Sequence, residues 1–590
     1  MPFPKPTIIY QKIQNLASLA SEQYQDLINV YFRRHPDSDD NTRTYPIKSL
    51  GFSQYGTNAT LPGAKVGLGI GSFQPSTGTY GYLYAAFDDA TPKTQIYSYR
   101  SSSADPTSEG ATAKFDTNGN TVEFEQANDT LYITNGVDSV VKRVAAGTWS
   151  ALASGAPLSG ANTVAKYLCW HNFMMFAART QAAPNILYIS DAGAPDTFTG
   201  PITKTFPYTI TGLKSLGEYL IVYTEKTIHA VTGFVPSTVG FREIPNAHPC
   251  VSHRSIVTTV RQDAQFSSTG SQYGLLEHWY LGHDYVWAFN GSTFRILGKD
   301  SWENYRSNLS LSQLGTAAAT YDTTTGQYWL SIPTGANTVN NVTWAYDPTA
   351  DVWIEKPLYT ASCWTKHGSP NPGTYFLDSG AVGRAYLANS GQKAASKQTP
   401  TNGDHTASVT TITVDSTTGF LSAGCISVDD ETIYYSGVTA TEFTGCIRGY
   451  AGTTATAHLD NAVVYQSHKF RYRTRNLDFG APELIKKFQV LWAHPKVATV
   501  AHSLSIQANI DRYGWSQVKE IDLMTAGSTW GSFTWGSSAW GAPEAMLTPE
   551  TRGPVSGRGK TVAIGFEDNS SIQQTEVFEA TLKLRPLKNK

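Results

Sequence analysis

The chain has 590 residues, a formal net charge of −2 and 40% hydrophobic residues. That length exceeds what one core fills and implies roughly two to four domains, while the apolar content excludes a disordered chain. The balanced charge demands neither a nucleic-acid nor a membrane partner, although it is compatible with a protein that lets DNA pass without gripping it.

Charged residues make up only 16%, and Gly (50), Tyr (32) and Trp (14) take their place. Such a composition favours strands and turns over helices, so the first expectation is an all-β fold. The opening "MPFPKPTIIYQKIQ" lacks the apolar core of a signal peptide, and no run approaches the roughly 18 apolar residues of a membrane span. The expectation is a protein made in a cytoplasm, with no membrane span. Cys169, Cys250, Cys363, Cys425 and Cys446 are scattered, odd in number and contain no CxxC. They read as buried thiols rather than a disulfide framework or zinc site; Cys425 and Cys446 could pair only in an oxidising environment.

Residues 12–34 form the one long segment with helical character, with Leu16, Leu19, Ala20 and Tyr24 near helical spacing. Its end, "LINVYF", reads equally as a strand, and Pro36 breaks what precedes it. From about residue 75 to 390, short runs rich in Tyr, Val, Ile and Trp alternate with Gly, Asn, Asp and Pro clusters, the strand-and-hairpin signature. The runs group into units such as "LYITNGVDSVVKRVAAGTWS". Tyr84, Tyr132, Tyr188, Tyr223, Tyr280, Tyr328 and Tyr375 mark successive units, at steps of 48, 56, 35, 57, 48 and 47 residues. Most steps approach the roughly 40–50 residues of a propeller blade. The pattern predicts a β-propeller of six or seven irregular blades, with a large β-sandwich as the alternative.

The polar stretch 388–405 reads as a linker, and residues 407–466 form a compact block of four or five short strands. From about 468 the strands lengthen and alternate. In "KFRYRTR", Phe470 and Tyr472 alternate with Lys469, Arg471 and Arg473, a half-exposed strand with a basic outer face. Arg475, Arg585, Lys588 and Lys590 add to the charge near this tail. The strip "TWGSFTWGSSAWG" places Trp530, Trp535 and Trp540 five residues apart, a spacing that fits neither a helix nor a strand. It reads as a loop with one aromatic anchor per turn, or as a contact loop at an interface. The predicted organisation is an N-terminal segment over 1–74, a β-propeller over 75–395, a small β insert over 396–467 and a C-terminal β-sandwich over 468–590.

Catalytic and metal patterns are weak. "HPCVSH" (His248, Cys250, His253) is the best metal candidate, but its loose spacing and Pro249 favour a turn. His278 and His283 lie five apart in strand-like sequence and face opposite ways. Asp88–Asp89 and Asp429–Asp430 are adjacent carboxylates, the second pair reading as a hairpin turn, and adjacency does not make a glycosidase cleft. "GLGIGSF" (67–73) precedes no helix and so is no phosphate cradle, and 116–130 lacks calcium-loop spacing. There is no GxSxG, HExxH or P-loop. The expectation is no enzyme, no cofactor and no metal.

Several segments resemble short-tailed phage tail nozzle or hub proteins. Asn29, Val30 and Tyr31 match an Asn-hydrophobic-Tyr element near the start of that family, although "PIKSLGF" departs from its Pro-Gly-Leu turn. "GLKSLGEYLIVYTEKTIHAVTG" (212–233) resembles a recurring blade, and "NILYISDAGAPDTFTG" (185–200) a blade ending. The block 407–466 resembles small β modules of phage tails through Glu431, Tyr434, Phe443, Gly445, Cys446, Arg448, Gly449, Gly452, Thr453, Ala455 and His458. In such modules Cys446 and His458 are packing residues rather than ligands.

The resemblance implies a virion structural protein: a hexameric ring below the portal and adaptor that retains genomic DNA and then conducts it during ejection. Implied partners are further copies of the chain, adaptor or portal-side proteins, tail fibres or spikes, and double-stranded DNA passing without sequence specificity. Trp530, Trp535, Trp540, Arg471 and Arg473 are the candidate subunit or partner contacts. The competing reading is a carbohydrate-binding or carbohydrate-degrading tail-associated propeller, whose Trp and Tyr would be stacking platforms.

Overall fold

Short apolar runs closed by residues that tolerate positive φ build hairpins, and hairpins make up most of the molecule. The computed structural model describes residues 9–13, 27–34, 44–55, 66–76, 551–568, 576–587 and, apart from short loops and 261–275, residues 82–522. Their regular secondary structure is nearly all strand, in antiparallel sheets of mostly four strands. They fall into two units: Ser53–Tyr346 with Tyr359–Ala388, and Met1–Phe52 with Asp347–Leu358 and Asn389–Lys590.

The first unit is a seven-bladed β-propeller. Its blades open on the innermost strands Gly67–Phe73, Glu123–Ala127, Tyr167–His171, Ile210–Leu216, Val257–Val260, Ala318–Asp322 and Ala361–His367. Each innermost strand pairs with the next in sequence, as Ile210–Leu216 does with Tyr219–Thr224. Two-residue hairpin tips carry positive φ, at Asn128, at Asn172 and Phe173, and at Gly217. Such tips match the right-handed twist of the strands they join. The last blade is completed from the other end of the chain: its sheet order is Ala361–His367, Gly373–Asp378, Ala385–Gly391, then Gly51–Tyr55. Tyr55 of that closing strand packs edge-on against Tyr375, ring centres 4.7 Å apart.

The propeller begins earlier than residue 75. "GLGIGSF" is the innermost strand of the first blade, and its alternate glycines hid it from an apolar-run reading. A Cβ on Gly67, Gly69 or Gly71 would lie 2.6 Å from Leu377 Cβ, 2.1 Å from the Val122 carbonyl oxygen and 2.4 Å from Phe124 Cβ. The glycines let neighbouring blades close tightly around the axis.

The second unit is built on a β-sandwich. One sheet runs in the order Ile9–Ile13, Val577–Pro586, Lys486–Pro495, Thr551–Gly559, and the other Phe470–Arg473, Val562–Asp568, Ser503–Ile510, Ser516–Asp522. Phe488, Leu491, Leu504, Ile506, Ile564, Phe566, Leu582 and Leu584 fill the space between them. Val30, Phe32, Val352 and Ile354 join the same core. The strand Val352–Lys356, which the sequence pattern assigns to a propeller repeat, is the fourth strand of the sixth blade's sheet, after Ala318–Asp322, Gln327–Ile332 and Val342–Asp347, while Val352 and Ile354 count with this core. The Asn-Val-Tyr element is anchored here too: the Ile28 amide donates to the Arg471 carbonyl at 2.9 Å and the Asn29 amide to the Glu355 carbonyl at 3.0 Å. Residues 9–13 and 30–34 are strands, and 14–26, the centre of the expected helix, lies outside the described residues.

The insert has a four-stranded sheet, Gln398–Pro400, Val463–Gln466, Gly424–Val428 and Glu431–Tyr435 in that order. A three-stranded sheet of Thr411–Thr413, Glu442–Thr444 and Gly437–Val438 accompanies it. They share a core of Ile412, Ile426, Ile433, Tyr435, Phe443 and Val464.

Candidate functional site at the propeller axis

Seven inner strands leave an axial space, and a subset of the propeller's charged residues lines it. The residue that organises them is Arg254, in the short 3-10 turn His253–Ser255 that precedes the innermost strand of the fifth blade. Its Nε donates to Glu123 Oε1 at 2.7 Å, and its Nη2 donates to the carbonyls of Leu68 and Val122, both at 2.7 Å. Arg254 thus ties the first two blades to the fifth. A guanidinium suits this position because its planar fork offers several donors at fixed angles.

Two cavities share Glu123, His253 and Arg254. The first, of about 470 Å³, lies at the starts of the inner strands, where Lys166, Arg179, Glu225 and His283 join the shared residues. The second, of about 410 Å³, lies further along the strands and is lined by Ser72, Glu125, Gln126, Lys214, Trp364 and Lys366.

Glu123 and Glu125, two apart on one strand, face the same side. Their carboxyls shift in opposite directions. Burial works to raise Glu123, but the Arg254 charge, His253 and the Arg254 hydrogen bond outweigh it and hold the group below the usual range. Burial dominates at Glu125 and raises it, against the Lys214 charge and a hydrogen bond from the Trp170 amide at 2.7 Å. Burial and the Arg254 charge lower Lys166, with Glu123 opposing. Burial also pushes the His253 imidazole down to about 4, and its ring stacks on Tyr167 with centres 4.4 Å apart.

The weak sequence candidates resolve as structural groups. In "HPCVSH", His248 stacks on Trp287 at 3.6 Å, Cys250 Sγ donates to the Ser252 carbonyl at 3.1 Å, and His253 Nδ1 accepts from the Leu213 amide at 3.3 Å. His278 is buried, lies 2.9 Å from both the Tyr223 hydroxyl and the Ser215 carbonyl, and burial lowers it to about 4; His283 is exposed. Among the described residues no cluster of His, Cys, Asp and Glu fits a metal ion. Asp138 accepts from the Thr117 amide and hydroxyl, and Asp88 from the Gly119 amide, so carboxylates brace this loop. Cys169, Cys250, Cys363 and Cys446 are free and buried.

Trp530, Trp535 and Trp540 lie outside the described residues. Arg471 and Arg473 are bonded within the sandwich. Arg471 Nε donates to Glu567 Oε2 at 3.1 Å, Arg473 Nη2 to Gln507 Oε1 at 3.1 Å, and the Arg473 guanidinium lies 4.4 Å from the Trp515 ring centre. In the insert, the motif residues form one network. Arg448 grips Glu431 with two bonds of 2.8 and 2.7 Å, and Gly449 and Thr456 amides donate to the same carboxylate. His458 places Nε2 2.9 Å from Glu431 and Nδ1 2.8 Å from Asp429. His458, expected to be a packing residue rather than a ligand, is a member of a buried polar network.

The axial residues were missed in the sequence, yet "VEFEQ" sets two carboxylates on one strand face, and "AKYLCWHNFMMFAART" sets Lys166 and Arg179 at the ends of an otherwise apolar hairpin. Charges bordering a largely buried hairpin were the available signal.

No family model matches the chain, and no curated protein does. Among solved structures, the extracellular domain of a one-component system from B. thetaiotaomicron is similar at 11% identity, over 66% of this chain and 48% of that one, with a TM-score of 0.36. The chain thus spans about half the length of that neighbour. An exo-beta-1,3-galactanase from Phanerochaete chrysosporium, solved with beta-1,3-galactotriose, is similar at 8% identity over 78% of this chain and 95% of that one, with a TM-score of 0.21. Neither likeness bears on the activity of this chain.

Proposed function

We propose that this protein is a non-enzymatic structural subunit of a short phage tail, of the nozzle or hub type, acting in a ring that holds packaged DNA and releases it. One observation carries the reading. Where a propeller enzyme would present reactive groups on its axis, Arg254 binds Glu123 and two backbone carbonyls, so its principal donors are committed to holding blades together. The segments that resemble tail proteins, 27–52, 185–200, 212–233 and 407–466, support the same reading. A ring requires head-to-tail interfaces that close, and a conduit for DNA must not grip phosphate, which a formal charge of −2 suits. Mass photometry of the purified chain, followed by electron microscopy of virions, tests it. A sixfold ring beneath the portal is expected; a stable monomer that depolymerises a capsular polysaccharide would overturn it.

A second reading, a carbohydrate-binding or carbohydrate-degrading propeller, is favoured by the opposed carboxyls Glu123 and Glu125. A pair held apart in this way suits acid and base roles, and Trp364 lines the cavity beside Glu125. On this reading, Glu125→Gln abolishes polysaccharide cleavage that the unaltered chain performs.

A further inference from the structure

The first axial cavity collects more positive charge than its own carboxylates answer. Arg254 is matched by Glu123. Arg179 Nη1 donates to the Ile210 carbonyl at 2.9 Å, a neutral acceptor that leaves its charge unanswered. Lys166 is half-buried at the start of the innermost strand of the third blade, and no hydrogen bond of its ammonium is found among the described residues. Its backbone amide donates to the Arg179 carbonyl at 3.2 Å, so the two residues leave the chain side by side. Arg254 and Arg179 both work against the Lys166 charge, as burial does, and Glu123 only partly compensates. Glu225 lines the same cavity but is exposed.

Half-buried cations without a counter-charge are costly, and an anion between them removes both the desolvation and the repulsion. The surrounding lining suits an oxyanion. Thr121 and Thr211 add hydroxyls, and the volume of about 470 Å³ admits a phosphate or a single sugar acid with its water.

We propose that this cavity is a binding site for a small oxyanion, a phosphate or carboxylate group, held by Lys166 and Arg179 with Arg254 as the fixed positive wall. The proposal is independent of ring formation and of polysaccharide cleavage. Phosphate and uronate share the required chemistry but differ in source, one free or nucleotide-borne, the other a component of acidic polysaccharide.

Calorimetric titration of the full-length protein with inorganic phosphate and, separately, with D-glucuronate, at constant ionic strength set with chloride, tests the proposal. At least one anion should bind with one site per chain, and Lys166→Met should weaken it about tenfold or more, whereas Lys166→Arg should retain it. Preference for glucuronate identifies a sugar-acid site, and preference for phosphate a phosphate site. Lack of binding by both anions, or unchanged binding in Lys166→Met, would overturn it. Circular dichroism of each variant guards against misfolding, and should Lys166→Met fail to fold, Arg179→Lys supplies the same comparison, with weakening expected and unchanged affinity contrary.

Discussion

The propeller and the sandwich solve opposite problems. In the propeller, a strand almost always pairs with its neighbour in sequence, and each blade closes its hairpins within a few dozen residues. In the sandwich, Ile9–Ile13 lies against Val577–Pro586, and Lys48 reaches Asp568 across 520 residues of sequence. Local pairing leaves a sequence signature because turn residues and apolar runs alternate in one window. Distant pairing leaves none, since each strand carries only its own alternation. Buried polar groups divide the same way. On the propeller axis, Arg254 links blades through backbone carbonyls, whereas the sandwich contains a fully buried ion pair of 3.0 Å between Lys48 and Asp568.

The largest effects should come from removing one partner of each ion pair. Asp568→Asn leaves the Lys48 ammonium buried without its counter-charge, and Arg254→Met leaves Glu123 and two carbonyls without their donor. Each should cost about 3–5 kcal/mol. Hydrogen exchange separates them. Asp568→Asn should raise exchange in Thr44–Lys48 and Val562–Asp568, and Arg254→Met in Gly67–Phe73 and Glu123–Ala127. Equal loosening of both sets by either variant would break the comparison.

Much of the fold was legible for this reason. Tyr84, Tyr132, Tyr223, Tyr280, Tyr328 and Tyr375 each sit on the second strand of a blade with the ring buried, and the hydroxyls of Tyr280, Tyr328 and Tyr375 donate to the carbonyls of His248, Ser255 and Asn371 at 2.7, 2.8 and 2.8 Å. Tyr188 is on a third strand, Ile186–Ile189, and Met174–Ala178 takes the second position in that blade. The uneven spacing around Tyr188 follows from that substitution. Gly67–Phe73 was misplaced, because its alternate glycines lack the side chains that make a strand visible. Val352–Lys356 was placed in its blade, but the core that Val352 and Ile354 join was not legible, because a strand's packing partner is not written in its own residues. The axial site was the least legible part, because Arg254, Glu123 and Lys166 come from three blades and share no local pattern.

Acid should distinguish the two regions next. His253 and His278, both in the propeller, have folded values near 4 against about 6.5 for an unfolded chain. The unfolded state therefore binds more protons as pH falls below about 6.5, so propeller stability is complete above that value and declines towards pH 4. The loss is at most about 3 kcal/mol for each histidine. Denaturant unfolding followed between pH 7 and 4.5 should show this slope. His278→Gln should flatten it by nearly one proton, and an unchanged slope would show that the buried imidazole is not its source.

The smallest effect concerns the charged face of the sandwich. Arg473 lies over Trp515 and reaches Gln507, and Arg471 pairs with Glu567. Arg473→Ala should therefore cost only about 1 kcal/mol, through lost cation–π contact and stem packing. Arg471→Glu sets a carboxylate beside Glu567 and should cost a similar amount in the isolated chain. If this face also docks onto an acidic neighbour, Arg471→Glu with Arg473→Glu abolishes ring assembly while the chain stays folded. Normal rings from that double variant, measured by mass photometry, would restrict both arginines to the internal bonds they already make.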